Sequence, residues 1–185
     1  MNQSASTVIF LIGFMGSGKS HGAKLLSDHT GLPYVDLDDW IEGKEQRTIT
    51  AIFNQSGEAY FRERESAYLK EVVSTLSAGS VFQMGTQVIT GIISTGGGTP
   101  CYHENMKWMN QHGITVWLNP LSSVLIQRLL IEKASRPLLA DLSESELILF
   151  VRSKLSERIS FYSQAAIELQ DEVDVELLIE KIKNA

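Results

Sequence analysis

The run GFMGSGKS, Gly13 to Ser20, constrains this chain more than any other feature. It has the spacing G-x-x-x-x-G-K-[ST] and follows TVIFLIG, Thr7 to Gly13, an unbroken apolar run that predicts a strand buried on both faces. Behind it, Ala23, Leu25 and Leu26 mark a helix from Lys19 to about His29, stopped by Gly31 and Pro33. In such a strand, turn and helix, glycines let backbone N–H groups form a concave nest, and the new helix turns the positive end of its dipole toward phosphate oxygens. Gly16, Ser17 and Gly18 therefore predict a nucleoside triphosphate cradle, with Lys19 reaching the β- and γ-phosphates and Ser20 offering a hydroxyl to Mg²⁺.

Strands and helices alternate through the rest of the chain. Tyr34 to Asp36 reads as a second strand, Val88 to Thr95 as a third, Ile114 to Leu118 as a fourth and Ala166 to Leu169 as a short fifth. Asp38 can cap a helix through Trp40 and Ile41, and Thr48 another carrying Ile49, Ile52 and Phe53 that ends at Ser56-Gly57. Glu58 to Leu76 carries an apolar stripe from Phe61 to Leu76 with charges opposite, and further helices are predicted near 103–111, 121–131, 145–162 and 174–183. This order predicts an α/β fold, a parallel sheet covered by helices in one domain spanning 1–185. Residues 79–90 show no assignable pattern, and 132–145, with Pro137, predicts an exposed loop able to move.

Composition narrows the function. With 43% hydrophobic and 21% charged residues in 185, the chain is neither disordered nor fibrous. The formal charge of −6 argues against a general affinity for nucleic acid. Cys101 is the sole cysteine, and the four histidines share no metal-ligand spacing, so neither a disulfide nor a zinc cluster is expected. No Lys or Arg precedes Lys19, and the longest apolar stretch, Val8 to Gly16, is about half a membrane span; a cytoplasmic protein without a membrane partner is expected.

A second substrate needs its own residues. Asp36 and Asp38 fall at the C-terminal end of the second strand, where ligands of open α/β sheets gather; one would hold a Mg²⁺-bound water while the other accepts a proton from a substrate hydroxyl, unless Asp38 serves only as a cap. Arg62 beside Phe61 would clamp a planar carboxylate against an apolar wall. Arg158, next to Lys154 and Glu157, resembles ordinary surface charge. Gly96-Gly97-Gly98 after a buried strand suggests close approach of a ligand to the backbone, and Arg136 in the loop would bring a cation onto a transferring phosphate.

Taken in order, GFMGSGKS, DLD at 36–38, FRERE at 61–65, TGGG at 95–98, RPLL at 136–139 and RISFY at 158–162 resemble the shikimate kinases over nearly the whole chain. The resemblance implies a three-layer sandwich around a five-stranded parallel sheet of nucleoside-monophosphate-kinase type, with a mobile lid over about 132–145. It implies transfer of the γ-phosphoryl group of ATP to the 3-hydroxyl of shikimate, with Mg²⁺, in aromatic amino acid biosynthesis, by a monomer. Carried over by position, Asp38 is the hydroxyl ligand and proposed base, Arg62 and Arg158 are the carboxylate clamps, and Gly97 and Gly98 lie on the substrate side. Arg136 is the lid arginine on the phosphates, Asp36 stands by the Mg²⁺ water shell, and Arg128 stacks on adenine. Phe53, Phe61 and Leu138 line the substrate pocket. His21 stands where the family commonly has Thr, and the segment Gly79 to Val88, a possible surface hairpin, is longer than the usual connection. The competing readings are a gluconate kinase of the same fold, disfavoured by FRERE and TGGG, a nucleotide kinase, disfavoured because a nucleoside base has no use for a carboxylate clamp by Arg62 and Arg158, and a binding module without turnover, disfavoured by the joint presence of Lys19, Ser20, Asp38 and Arg136.

Overall fold

Strand β1 (Ser6–Ile12) forms the middle of the sheet and explains both of its packed faces. Successive side chains of a strand point to opposite sides, so Ile9 and Leu11 enter one apolar layer while Val8, Phe10 and Ile12 enter the other. All five are buried, which is why the run is continuously apolar and not alternating. The computed structural model describes residues 6–133, 139–170 and 174–184.

The parallel strands expected from the sequence are all present: β2 (Tyr34–Asp36), β4 (Gln87–Ser94), β5 (Gly113–Leu118) and β6 (Ile167–Leu169) join β1 in the order β2-β4-β1-β5-β6. Among the described residues the sheet carries a sixth strand beside the five parallel ones. The sixth, β3 (Phe82–Met84), pairs antiparallel with the start of β4, Met84 opposite Gln87, across a two-residue turn in which Gly85 takes φ 62°. This hairpin accounts for the unassigned segment, and it buries Met84 in the core beneath the sheet.

Helices α1 (Lys19–Thr30) and α7 (Val175–Lys183) cover one face, packing Ala23, Leu26, Leu178 and Ile182 on β1, β4 and β5. Helices α2 (Leu37–Glu45), α3 (Ile49–Leu76) and α4 (Asn105–His112) cover the other with Ile41, Ile52, Leu69, Val72 and Met109. Gly57, at φ 82° and ψ 168°, breaks α3 where Ser56-Gly57 predicts a helix end, so the chain holds two helical segments there. Helices α5 (Ser122–Glu132) and α6 (Glu144–Tyr162) enclose a third cluster of Phe14, Leu125, Leu129, Leu147 and Val151.

The expected exposed loop at 132–145 is exposed at Glu132, Ala140, Asp141, Ser143, Glu144 and Ser145, and the third cluster draws in Leu139 from it. Glu132 ends α5, Ser143 caps α6 in a reciprocal capping box with Glu146, and Leu139 between them is fully buried against Leu125 and Leu147. An apolar side chain that can reach a helix pair leaves water even from a connecting segment. Arg136 and Leu138 lie outside the described residues.

Candidate active site

The loop between β1 and α1 takes the shape its glycines predict. Gly18 caps α1 in the left-handed region at φ 91°, a conformation that side chains with a Cβ rarely adopt, and the Ser17 amide closes a turn on the Phe14 carbonyl at 3.1 Å. Lys19 Nζ donates to the same carbonyl at 2.9 Å, which folds the lysine along the loop. The guanidinium of Arg128, on α5, donates to the Gly16 carbonyl at 3.2 Å and so stands across the loop. Met15 to His21, Asp36, Asp38, Ser94, Thr95, Gly97, Arg128 and Glu132 line a cleft of about 520 Å³.

The two aspartates divide their work differently from the expectation that Asp38 can cap a helix. Asp36 is the N-cap of α2: its Oδ1 accepts from the Asp38 amide at 3.0 Å, and its Oδ2 accepts from Ser20 Oγ at 2.5 Å. Since Asp36 satisfies the helix end, Asp38 sits in the first turn and its carboxylate is left to face the cleft. Burial pushes the Asp38 carboxyl up to about 7, helped by the Asp36 and Glu65 carboxylates and opposed by Lys19 and Arg62. Ser20 Oγ also meets Ser94 Oγ at 3.2 Å, so three oxygen-bearing side chains converge beside the phosphate loop.

The Thr95–Gly98 strip runs beside a cluster of charged side chains. A methyl carbon built on Gly96 would stand 3.0 Å from Asp38 Oδ1, one on Gly97 3.3 Å from Arg158 Nη1, and one on Gly98 2.7 Å from both terminal nitrogens of Arg62. Glycine at Gly98 is a matter of space, since its φ of −94° suits any residue. Arg62 lies over Phe53, Phe61 and Tyr102, whose ring centres are 5.9, 5.0 and 4.4 Å from its central carbon. Phe53 and Phe61 are themselves 4.7 Å apart and form the apolar wall expected beside Arg62. Arg158 lies 5.5 Å over the ring of Phe14, one helical turn before Tyr162, whose hydroxyl donates to the Gly97 carbonyl. The structure thus brings Asp38, Arg62, Gly97, Gly98 and Arg158 together although they come from α2, α3, the glycine strip and α6. Arg158 faces Phe14, and its resemblance to surface charge is misleading.

Two residues with no assigned role in the sequence emerge as organisers. Glu65 is fully buried, accepts from Arg62 Nη1 at 2.8 Å, and accepts from Thr99 Oγ1 at 2.6 Å, which ties Arg62 to the glycine strip. Its i+3 spacing from Arg62 within FRERE is a legible signal, though its burial is not. Tyr162, four residues after Arg158, is the second.

A family model described as Shikimate kinase matches residues 15–184. A shikimate kinase of Bacteroides thetaiotaomicron is 37% identical over 180 residues, covering 95% of each chain. Among solved structures, a shikimate kinase from the same species superposes with a TM-score of 0.80 at 35% identity, covering 96% of this chain and 97% of the other. The shikimate kinase of Acinetobacter baumannii in complex with shikimate gives 0.76 at 29% identity, covering 97% and 92%. Motif order, sheet topology and this coverage agree: the chain belongs to the shikimate kinase family.

Proposed function

We propose that this chain transfers the γ-phosphoryl group of ATP to the 3-hydroxyl of shikimate, giving shikimate 3-phosphate and ADP in aromatic amino acid biosynthesis. The observation that carries the reading is the convergence of Asp38, Arg62 and Arg158 on the glycine strip, one step along the cleft from Lys19 and Ser20. A small hydroxylated carboxylate asks for two such parts, a cation pair for its carboxylate and a carboxylate for the hydroxyl that reacts.

Phosphoryl transfer depends on positioning and charge neutralisation more than on covalent chemistry. In this reading the loop amides of Gly16, Ser17 and Gly18 and the side chain of Lys19 hold the phosphates, with His21 and Arg128 along the nucleotide. Arg62 and Arg158 fix the shikimate carboxylate, Phe53 and Phe61 back the ring, and Gly97 and Gly98 let it come close to the chain. Asp38 accepts a hydrogen bond from the 3-hydroxyl and takes its proton as the new P–O bond forms; a carboxyl near 7 is suited to that exchange at neutral pH. Arg136 is assigned to the migrating phosphoryl group and Leu138 to the acceptor pocket, both on sequence position.

A magnesium ion fits the donor set, since Ser20 and Asp36 present hard oxygens 2.5 Å apart at the phosphate loop and Mg²⁺ takes few protein ligands when phosphates and waters supply the rest. Ser20 would bind it directly and Asp36 through a water; when bound it supplies neutralisation of phosphate charge. We assign the chain a single working domain, a monomeric state, a lid over about 132–145 and a cytoplasmic location; no described helix is long and apolar enough to cross a membrane.

The test is ADP release from MgATP by the purified chain with shikimate, gluconate, AMP or no acceptor. Release that requires shikimate supports the assignment, and release with gluconate or AMP but not shikimate would overturn it.

A further inference from the structure

Two glutamates share Arg62, and their situations are opposite. Glu65 is wholly buried and already committed by its second oxygen to Thr99, so it has no alternative to Arg62. Glu58 is 53% exposed at the start of the second half of α3, and one of its oxygens, Oε1, accepts from both Nε and Nη2 of Arg62 at 3.2 Å each. The same oxygen accepts from the Tyr102 hydroxyl at 3.1 Å. Tyr102 also covers the guanidinium with its ring at 4.4 Å. The Nε and Nη2 side of a guanidinium is one of the two edges on which a carboxylate can place two parallel hydrogen bonds, one per oxygen. Glu58 holds that edge with a single shared oxygen and longer contacts than the 2.8 Å of Glu65.

We infer that Glu58 is an internal competitor for the carboxylate clamp: it rests on Arg62 until the carboxylate of the acceptor replaces it, and so it sets the affinity for that substrate. This rests on the reading of Arg62 as the clamp for the shikimate carboxylate. The exchange conserves the ion pair while trading one bifurcated oxygen for two parallel bonds, and it returns Glu58 to water, where an exposed carboxylate is well solvated. Glu65 keeps the guanidinium in place throughout, because its bonds are on Nη1 and are buried. Tyr102 biases the exchange by holding Glu58 over Arg62 through its hydroxyl. Shikimate binding is therefore weaker than an uncontested clamp would give, and the substrate leaves more readily.

The experiment is steady-state kinetics of the full chain with MgATP and shikimate for wild type, Glu58→Gln, Tyr102→Phe and Arg62→Ala, with thermal melts confirming that each is folded. Glu58→Gln is expected to lower the KM for shikimate about two- to fivefold, the range set by the strength of exposed ion pairs, with the KM for ATP unchanged. Tyr102→Phe keeps the ring over Arg62 and moves the shikimate KM in the same direction by less. A role of Glu58 in merely orienting Arg62 gives the opposite sign, a raised KM. An unchanged or raised KM in Glu58→Gln, alongside a large rise in Arg62→Ala, overturns the competitor and leaves the clamp standing. No rise in Arg62→Ala removes the clamp, and the competitor with it.

Discussion

Replacing Asp38 by Asn is expected to stabilise the fold at the pH where the enzyme works while abolishing its turnover. A carboxyl lifted from 3.8 to about 7 holds its proton more tightly in the folded chain than in the unfolded one. Between those two values the folded state binds more protons, so stability falls as pH rises through the window and levels off above about 7. At 1.36 kcal/mol for each tenfold change in proton affinity, ionising Asp38 in place costs up to about 4 kcal/mol. Lys19 and Arg62 lose a favourable partner in Asp38→Asn, but their attraction is already contained in the net upward displacement. A gain of about 2–4 kcal/mol at pH 8 corresponds to roughly 5–15 °C in Tm for a chain of this size. The assay is thermal or urea unfolding of both proteins from pH 4 to pH 8, without ligands. The two curves should lie close near pH 4, separate up to about pH 7 and run parallel above it. A difference that does not vary with pH, or a variant less stable at pH 8, refutes the assignment of a strained carboxylate at this position.

Lys19→Ala should reduce turnover on the order of 10²-fold or more with the far-ultraviolet circular dichroism unchanged, because a cation at the phosphates is lost; activity like that of the wild type removes Lys19 from the mechanism. Gly98→Ala places a methyl carbon 2.7 Å from the Arg62 nitrogens with no backbone strain, so the shikimate KM should rise about tenfold or more with little change in the KM for ATP; equal rises in both would contradict the proposed clamp. Glu65→Gln removes one of the charges that raise Asp38, so the acid limb of kcat/KM should move to lower pH, while the shikimate KM rises as Arg62 loosens; an acid limb displaced upward contradicts the electrostatics.

What the sequence made legible is what depends on near neighbours. The phosphate loop is a contiguous run whose chemistry, conformation and place between strand and helix are mutually implied, and β2 falls on the residues its pattern predicts. The DLDD run was ambiguous because three aspartates in four residues can each cap a helix, and which one does depends on where the strand ends; Asp36 wins since it is also the last residue of β2. The hairpin within Gly79 to Val88 is expected as a possibility, but the sequence does not place its strands, because a three-residue strand carries little periodicity and Gly85-Thr86 is not among the stronger turn signals. Arg62 is legible from its residues as a candidate clamp beside Phe61, whereas Arg158 is recognised only through motif resemblance, because a charged helix residue looks the same in sequence whether it faces water or an aromatic ring.

The division of the site into a local half and an assembled half has a consequence for what can change. The conformation of Gly16 to Ser20 follows mainly from its own glycines and the start of α1, with Arg128, Asp36 and Ser94 bonded to its edges. The proposed acceptor half is set by how α2, α3 and α6 approach the glycine strip, and its charged groups are held across elements: Thr99 holds Glu65, Tyr102 covers Arg62, which Glu65 also pairs from within α3, and the Phe14 ring lies under Arg158. A displacement of one helix by an ångström would leave phosphate binding largely intact yet spoil the alignment of carboxylate and hydroxyl, since transfer depends steeply on that alignment. Acceptor choice in this chain is accordingly a property of helix packing around Gly96–Gly98, and substitutions such as Gly98→Ala or Glu65→Gln should separate the two halves more cleanly than any change in the phosphate loop.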